Sequence, residues 1–396
     1  MEAVIFGLWG IVSSVIPFVI IIGAVVTVHE LGHYLAGRAF GAAVESFAFG
    51  FGDSIVETKD KRGTRWRLNW LPLGGFVKFV GEAQAPGDAG KVEQGPIGKP
   101  YTQLTAWQRV VVSFAGPFVN FVFAILIYAC MAMATGEPKY GAIEISAIED
   151  GGPADVAGIK TGDLILSVGG RSVEEIADFQ NVIFYSANEA INVQIERAGT
   201  PLDLSVTPTE RVHRDENLGI EEKIGYVGVG LRTQLLEVKP VGPVRALAIG
   251  VEETQKIIDL TVKVLTRLIQ GKDSFEKMRG PLGIGDIADK VVDSHLKNDT
   301  LPFMERMQRA TLHIIHFIAL FSVSIGFFNL LPIPMLDGYS ILLGTYEAIF
   351  GSEVSVRVQE FLLRGGLAVI GVFFIAVSWN DLKRLGLLEV FGRLLS

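Results

Sequence analysis

Four stretches of this chain are apolar enough, and long enough, to cross a bilayer. Ala3–Val28 and Val110–Gly136 carry no charge. Ala310–Leu336 is free of Asp, Glu, Lys and Arg, although it contains His313 and His316. A helix of about 20 apolar residues fills the hydrocarbon thickness, and these three runs exceed it. Phe361–Asn380 is the fourth; Arg364 interrupts it and leaves a shorter apolar core. Between the second and third runs the pattern changes twice. Gly141–Thr209 alternates in short bursts separated by glycine turns, which predicts a small domain with strands and no span. Val244–Leu268 then spaces Leu247, Val251, Ile258, Val262 and Leu265 at helical intervals, with Glu252, Glu253, Lys256, Asp259 and Lys263 on the other faces. This is an amphipathic helix suited to the outer membrane surface or to the small domain.

The segment between the first two runs is more than a loop. Arg65–Trp70 alternates, Leu71–Gly75 predicts a turn, and Phe76–Val80 resumes an extended pattern. Such a hairpin either lies at the headgroup level or offers an edge strand onto which an unwound peptide adds by main-chain pairing. Glu82–Lys99, rich in Gly, Pro, Ala and charge, reads as a mobile linker, and Gly280–Gly285 marks a break before the third span. The first run has no basic segment before it and is longer than a signal-peptide core, so it reads as retained in the mature chain.

Composition narrows the class. At 396 residues, 49% hydrophobic and a mean hydropathy of +0.40, the chain is too apolar for one soluble globule. A formal charge of −8 gives no reason to expect nucleic acid, which calls for concentrated positive charge. The single cysteine, Cys130, rules out an internal disulfide and a thiolate cluster; inside an apolar run it reads as a packing residue. Arg38, Lys59, Lys61, Arg62, Arg65, Arg67, Lys78 and Arg109 flank the first two spans on one side, whereas Glu2 is the only charge before the first. That bias places the 38–105 loop in the cytoplasm and the small domain outside.

Candidate chemistry sits at the end of the first run. His29-Glu30-Leu31-Gly32-His33 sets two imidazoles at i and i+4 on one helix face, where both can bind one zinc. Glu30 beside them can take a proton from a water that the metal polarises. Ionisable groups at the end of an apolar span are costly and usually functional. Catalytic zinc takes three protein ligands and keeps one open position. Ala39 stands where a third histidine six residues on would be, and Glu45, Glu57 and Glu82 are gluzincin-like alternatives. The better candidate is Asp337, in Asn329-Leu330-Leu331-Pro332-Ile333-Pro334-Met335-Leu336-Asp337-Gly338, which two inward-running spans bring to the depth of His33. Pro332 and Pro334 break the third helix and free carbonyls, and such breaks at membrane depth line a cavity or site. Asn329 either caps the broken helix or hydrogen-bonds a substrate backbone or oxyanion. Gly116-Pro117-Phe118-Val119-Asn120 is a similar break in the second span, suited to close helix approach or water entry.

Two resemblances join these parts. Gly152-Pro153-Ala154 through Gly162-Asp163-Leu164 to Gly169-Gly170 resembles the PDZ signature, and one copy is present. HELGH, GPFVN, one PDZ region and NLLPIPMLDG, in that order over nearly the whole chain, resemble the site-2 protease family of intramembrane zinc metalloproteases, in its bacterial regulator-of-sigma-E protease branch. The resemblance implies His29, His33 and Asp337 as ligands of Zn2+, Glu30 as the base, and Asn329 and Pro332 as substrate contacts. It also implies that Gly63–Gly81 is a membrane-reentrant β element engaging substrate as a strand, with Gly74, Gly75 and Phe76 on the substrate. Substrates in this family are single-span proteins already trimmed outside the membrane, anti-sigma factors and remnant signal peptides among them. The PDZ region, through peptide ends or steric gating, is then a filter against untrimmed ectodomains.

The expected fold is a polytopic α-helical membrane protein of about four spans, with a membrane-reentrant β-hairpin and an inserted extracytoplasmic PDZ (α+β) domain. Its parts run 1–37 (first span with HExxH), 38–105 (cytoplasmic-side loop, hairpin 63–81), 106–136, 139–210 (PDZ), 211–309 (linker and amphipathic helix), 310–338, 339–360, 361–380 and a 381–396 tail. The expected function is regulated intramembrane proteolysis by a zinc endopeptidase in a bacterial inner membrane. Its PDZ domain would be periplasmic and its active site towards the cytoplasm. The alternative from another class is a non-catalytic PDZ membrane adaptor with a structural zinc. A metal transporter is a weaker third reading, because the ionisable groups gather at one depth and trace no path across.

Overall fold

The computed structural model describes residues 2–82, 95–173, 175–215, 220–271 and 302–384. Most of the expected 82–99 linker, the Gly280–Gly285 break and most of the C-terminal tail lie outside them. The chain divides into two compact units, Met1–Met131 with Pro243–Ser396, and Ala132–Gly242.

In the first unit, helix α1 (Glu2–Ala39) carries the uncharged run and ends with the histidines in its final three turns. Helix α2 (Ala106–Thr135) crosses it closely. A Cβ on Gly32 of α1 would collide with the Ala115 carbonyl, so glycine is what allows the backbones to approach. α2 buries a stripe of Asn120, Ala124 and Tyr128, one residue per turn. Against Ala124 and Tyr128 pack Ala319 and Val323 of a long helix, Phe303–Asn329. Cys130 lies off that stripe and is exposed, which corrects the packing role expected of it.

Among the described residues, three helices are long and apolar enough to cross a membrane: Ala106–Thr135, Phe303–Asn329 and Val356–Leu382. The third expected span therefore starts earlier than its charge-free run, includes Glu305, Arg306 and Arg309, and stops at Asn329. Pro332 and Pro334 supply no N–H to continue it. The segment 339–360 is largely helical, within Asp337–Phe350. In chain order the helices after α2 are α3 (Pro153–Val156), α4 (Ile176–Phe184), α5 (Pro243–Ile269), α6 (Phe303–Asn329), α7 (Asp337–Phe350) and α8 (Val356–Arg384). α5 is the expected amphipathic helix, and its Ile257 and Ile258 meet the cluster of α2 and α6.

The β element of this unit differs from the expected hairpin. Strand β1 (Val44–Lys59) precedes the expected strands, and β2 runs without a turn from Arg65 to Phe79. The turn is at Asp60–Gly63, closed by the Gly63 N–H on the Asp60 carbonyl. The second half of β1 pairs with Arg65–Asn69, and its first half pairs on one side with Arg65–Leu68 and on the other with Gly75–Phe79. Phe47, Phe49 and Phe51 alternate along β1, but Gly50 and Gly52 between and after them weaken its strand signal. Gly74, at φ +119°, lets β2 bend where the sequence suggested a turn.

In the second unit, a sheet ordered β11-β4-β5-β7-β8 is built from Val229–Arg232, Ile143–Ile148, Leu164–Val168, Ile191–Arg197 and Thr200–Val206, and the other strands described there are β3 (Glu137–Tyr140), β6 (Arg171–Ser172), β9 (Thr209–Asp215), β10 (Ile220–Tyr226) and β12 (Leu235–Lys239). Ile145, Val168, Val193, Ile195 and Phe179 fill its core, each contributing about 1.5–3 kcal/mol by burial. β11 lies beyond residue 210, so the unit extends past the expected boundary; a strand added by non-local pairing with β4 leaves no local signal. Asp163 is 1% exposed and takes two hydrogen bonds from Arg197, each 2.7 Å. Burial alone would raise its carboxyl, but the Arg197 guanidinium and the Lys160 amide outweigh that and hold it below the usual aspartate range. A carboxyl lowered on folding stabilises above its unfolded value and loses that contribution as the pH falls through its folded value. Asp163→Asn should cost this unit about 1–3 kcal/mol near neutral pH. The gap between wild type and variant should close below about pH 4, as read by hydrogen-exchange protection of Leu164–Val168 in the full protein.

Candidate active site

His29 and His33 are 5% and 8% exposed, with their rings edge to face. Asp337, the first residue of α7, reaches both. Its Oδ2 is 2.9 Å from His29 Nε2 and its Oδ1 3.3 Å from His33 Nε2. The two Nε2 atoms are 3.0 Å apart. Tetrahedral zinc with ligands at 2.0–2.1 Å separates them by roughly 3.4 Å, so this set fits the ion with little movement. His33 Nδ1 is 2.8 Å from the Val112 carbonyl of α2. Donating there keeps the proton on Nδ1 and leaves Nε2 free for a metal, the usual arrangement around a ligating histidine. Among the described residues this is where three metal-ligating side chains converge.

Neighbouring glycines set this geometry. A Cβ on Gly116 would run into the His33 ring and stand 2.8 Å from His29 Cε1. One on Gly338 would strike the Leu330 and Leu331 carbonyls, over which the chain folds back to bring Asp337 inward. Met335, between the second proline and Asp337, has φ +77°, costly for a residue with a side chain, and is 70% exposed at the edge of the cavity.

Glu30 lies beside the triad and accepts a hydrogen bond from the Val77 N–H of β2 at 2.9 Å. Glu82 takes the Phe79 N–H at 3.1 Å. Glu45 pairs with Arg65 and Lys78, and Glu57 with Arg67; with Glu82, these alternatives to Asp337 stay outside the ligand group. A cavity of about 610 Å³ opens from the triad. Asn329 lines it, with Nδ2 3.4 Å from His29 Nε2, and so does Phe76. Gly74 and Gly75 are buried in β2 and Pro332 is exposed; these three do not line it. Tyr101 and the Arg109–Glu347 ion pair also line it. Sequence reading missed Val112 and Val77, which act through backbone groups and leave no residue-type signal. It also missed the placement of Met335, Tyr101, Arg109 and Glu347.

The model of peptidase family M50 matches residues 17–373. The chain belongs to peptidase family M50. Metalloprotease MmpA of Caulobacter vibrioides is 32% identical over 409 residues, covering 97% of this chain and 99% of that protein. A Mesorhizobium japonicum protein with zinc metalloprotease in its name is 33% identical over 379 residues, covering 93% and 98%. A solved PDZ domain of an SdrC-like protein from Listeria monocytogenes covers 23% of this chain and 86% of its own, at 16% identity and a TM-score of 0.18. This M50 peptidase is a membrane metalloprotease of the site-2 type, and its cofactor is zinc.

Gly116→Val should empty the metal centre while leaving helix content unchanged, as measured by zinc content and far-ultraviolet circular dichroism. Asp337→Ala should likewise lose zinc; full retention would move the third ligand elsewhere.

Proposed function

We propose that this M50 peptidase is a four-span endopeptidase of a bacterial inner membrane. It would cleave the transmembrane segments of single-span proteins already trimmed outside, of the anti-sigma-factor or remnant-signal-peptide type, in regulated intramembrane proteolysis. The observation that carries the reading is the placement of Glu30 beside His29, His33 and Asp337 at the end of an apolar helix, open to a cavity. Three converging ligands, rather than the four of a structural site, favour catalysis over the adaptor reading.

His29, His33 and Asp337 hold the ion. Zinc, when bound, supplies the Lewis acidity that polarises a scissile carbonyl and acidifies water. Glu30 takes the proton of the attacking water and returns it to the leaving amide nitrogen. The Asn329 amide donates to the carbonyl oxygen as charge develops there. A transmembrane helix has no free peptide group, so it must open before it reacts. The opened segment adds as a strand at the Gly75–Phe79 edge, which the Val77 N–H on Glu30 places beside the site, and it takes over the N–H groups now given to Glu30 and Glu82. The basic 38–105 loop supports a cytoplasmic-side active site and a periplasmic PDZ domain. There the PDZ domain excludes bulky ectodomains or holds their trimmed ends.

Cleavage of a single-span substrate lacking its ectodomain should fall by about 10²–10⁴-fold in Glu30→Gln at equal expression. Equal product from both would assign cleavage to another enzyme. For strand addition, Val77→Pro should slow cleavage of a helical substrate far more than of an unstructured peptide. Equal loss on both would trace to the partner removed from Glu30.

A further inference from the structure

His29 and His33 are held differently. His33 directs Nδ1 at a backbone carbonyl, whereas the Nδ1 of His29 meets a side chain, Asn120 of α2. Asn120 is fully buried and lies one helical turn after Gly116, so it shares the face that meets the histidines. Its Nδ2 is 3.3 Å from His29 Nδ1, and among the described residues its Oδ1 has no hydrogen-bond partner. Its backbone is engaged elsewhere: the Asn120 carbonyl accepts the Ser322 hydroxyl of α6 at 2.8 Å. Among the described residues, the side-chain amide is therefore committed to the imidazole alone.

An amide donates through one end and accepts through the other, and rotation exchanges them. With Nδ2 towards His29, Nδ1 accepts and the ring proton sits on Nε2, where Asp337 Oδ2 at 2.9 Å receives it. With Oδ1 towards His29, the proton sits on Nδ1 and Nε2 is free for a metal. Each amide orientation matches one tautomer, and the first corresponds to the arrangement seen here. We propose that Asn120 is the positioning residue of His29, turning its Oδ1 to Nδ1–H when zinc loads and fixing the metal-binding tautomer. This rests on His29 being a zinc ligand. It gives the asparagine of GPFVN a role distinct from the close approach that Gly116 provides.

The test measures zinc affinity of the full-length protein in detergent by chelator competition. Asn120→Leu keeps the side-chain shape and removes the acceptor; its affinity should fall by about 10–100-fold. Asn120→Asp keeps an acceptor towards Nδ1–H and should hold affinity near wild type. Unchanged affinity in Asn120→Leu would overturn the proposal. So would equal losses in both variants, which is what a packing role predicts. Should Asn120→Leu not fold, Asn120→Ala takes its place with the same reading. His29→Ala separates the two levels of inference. Zinc retained there would remove the ligand assignment itself, whereas zinc lost there but kept in Asn120→Leu would remove only the role of Asn120.

Discussion

The close crossing of α1 and α2 is the constraint on which the site depends. Gly32 meets the Ala115 carbonyl, and Gly116 meets both imidazoles, so neither helix can carry a side chain at the contact. At this separation the Val112 carbonyl reaches His33 and the Asn120 amide reaches His29. A wider crossing would strand both Nδ1 atoms in an apolar setting, where an unpaired polar group costs about 1–3 kcal/mol. Two glycines thus set the metal geometry without touching a metal.

The second constraint is the end of α6. A continuous helix would carry Asp337 past the histidines. Pro332 and Pro334 stop it, and Gly338 lets the next turn fold over the carbonyls of Leu330 and Leu331. A short run of backbone hydrogen bonds, from Leu330 N–H to Phe327 through Leu336 N–H to Ile333, satisfies much of the interrupted segment. Met335 absorbs the sharpest bend in a left-handed conformation and projects into the cavity mouth.

Much of the fold was legible because its signals are local. The apolar runs marked the helices, and the GPADVAG–GD–GG signature marked the small domain. The prolines announced a break within a few residues of its place. The strands around the loop were less legible. Gly50 and Gly52 masked β1, and the Pro72–Gly75 region imitated a turn that β2 spans as a bend. In the second unit the boundary was missed for another reason: β11 joins β4 by non-local pairing, which leaves no local signal.

By itself the sequence determined that His29 and His33 share a helix face with Glu30 between them, because the spacing of a helix is set by its own backbone. It also made Asp337 the leading third candidate, through a break that prolines impose locally. Only the tertiary structure decided which groups surround those side chains. The Val77 N–H on Glu30, the Val112 carbonyl on His33 and the Asn120 amide on His29 come from distant segments. Two of the three use backbone atoms that every residue shares, so no residue pattern could announce them. Helix crossing and strand register fix their positions, and both arise from packing between elements rather than from propensity within one.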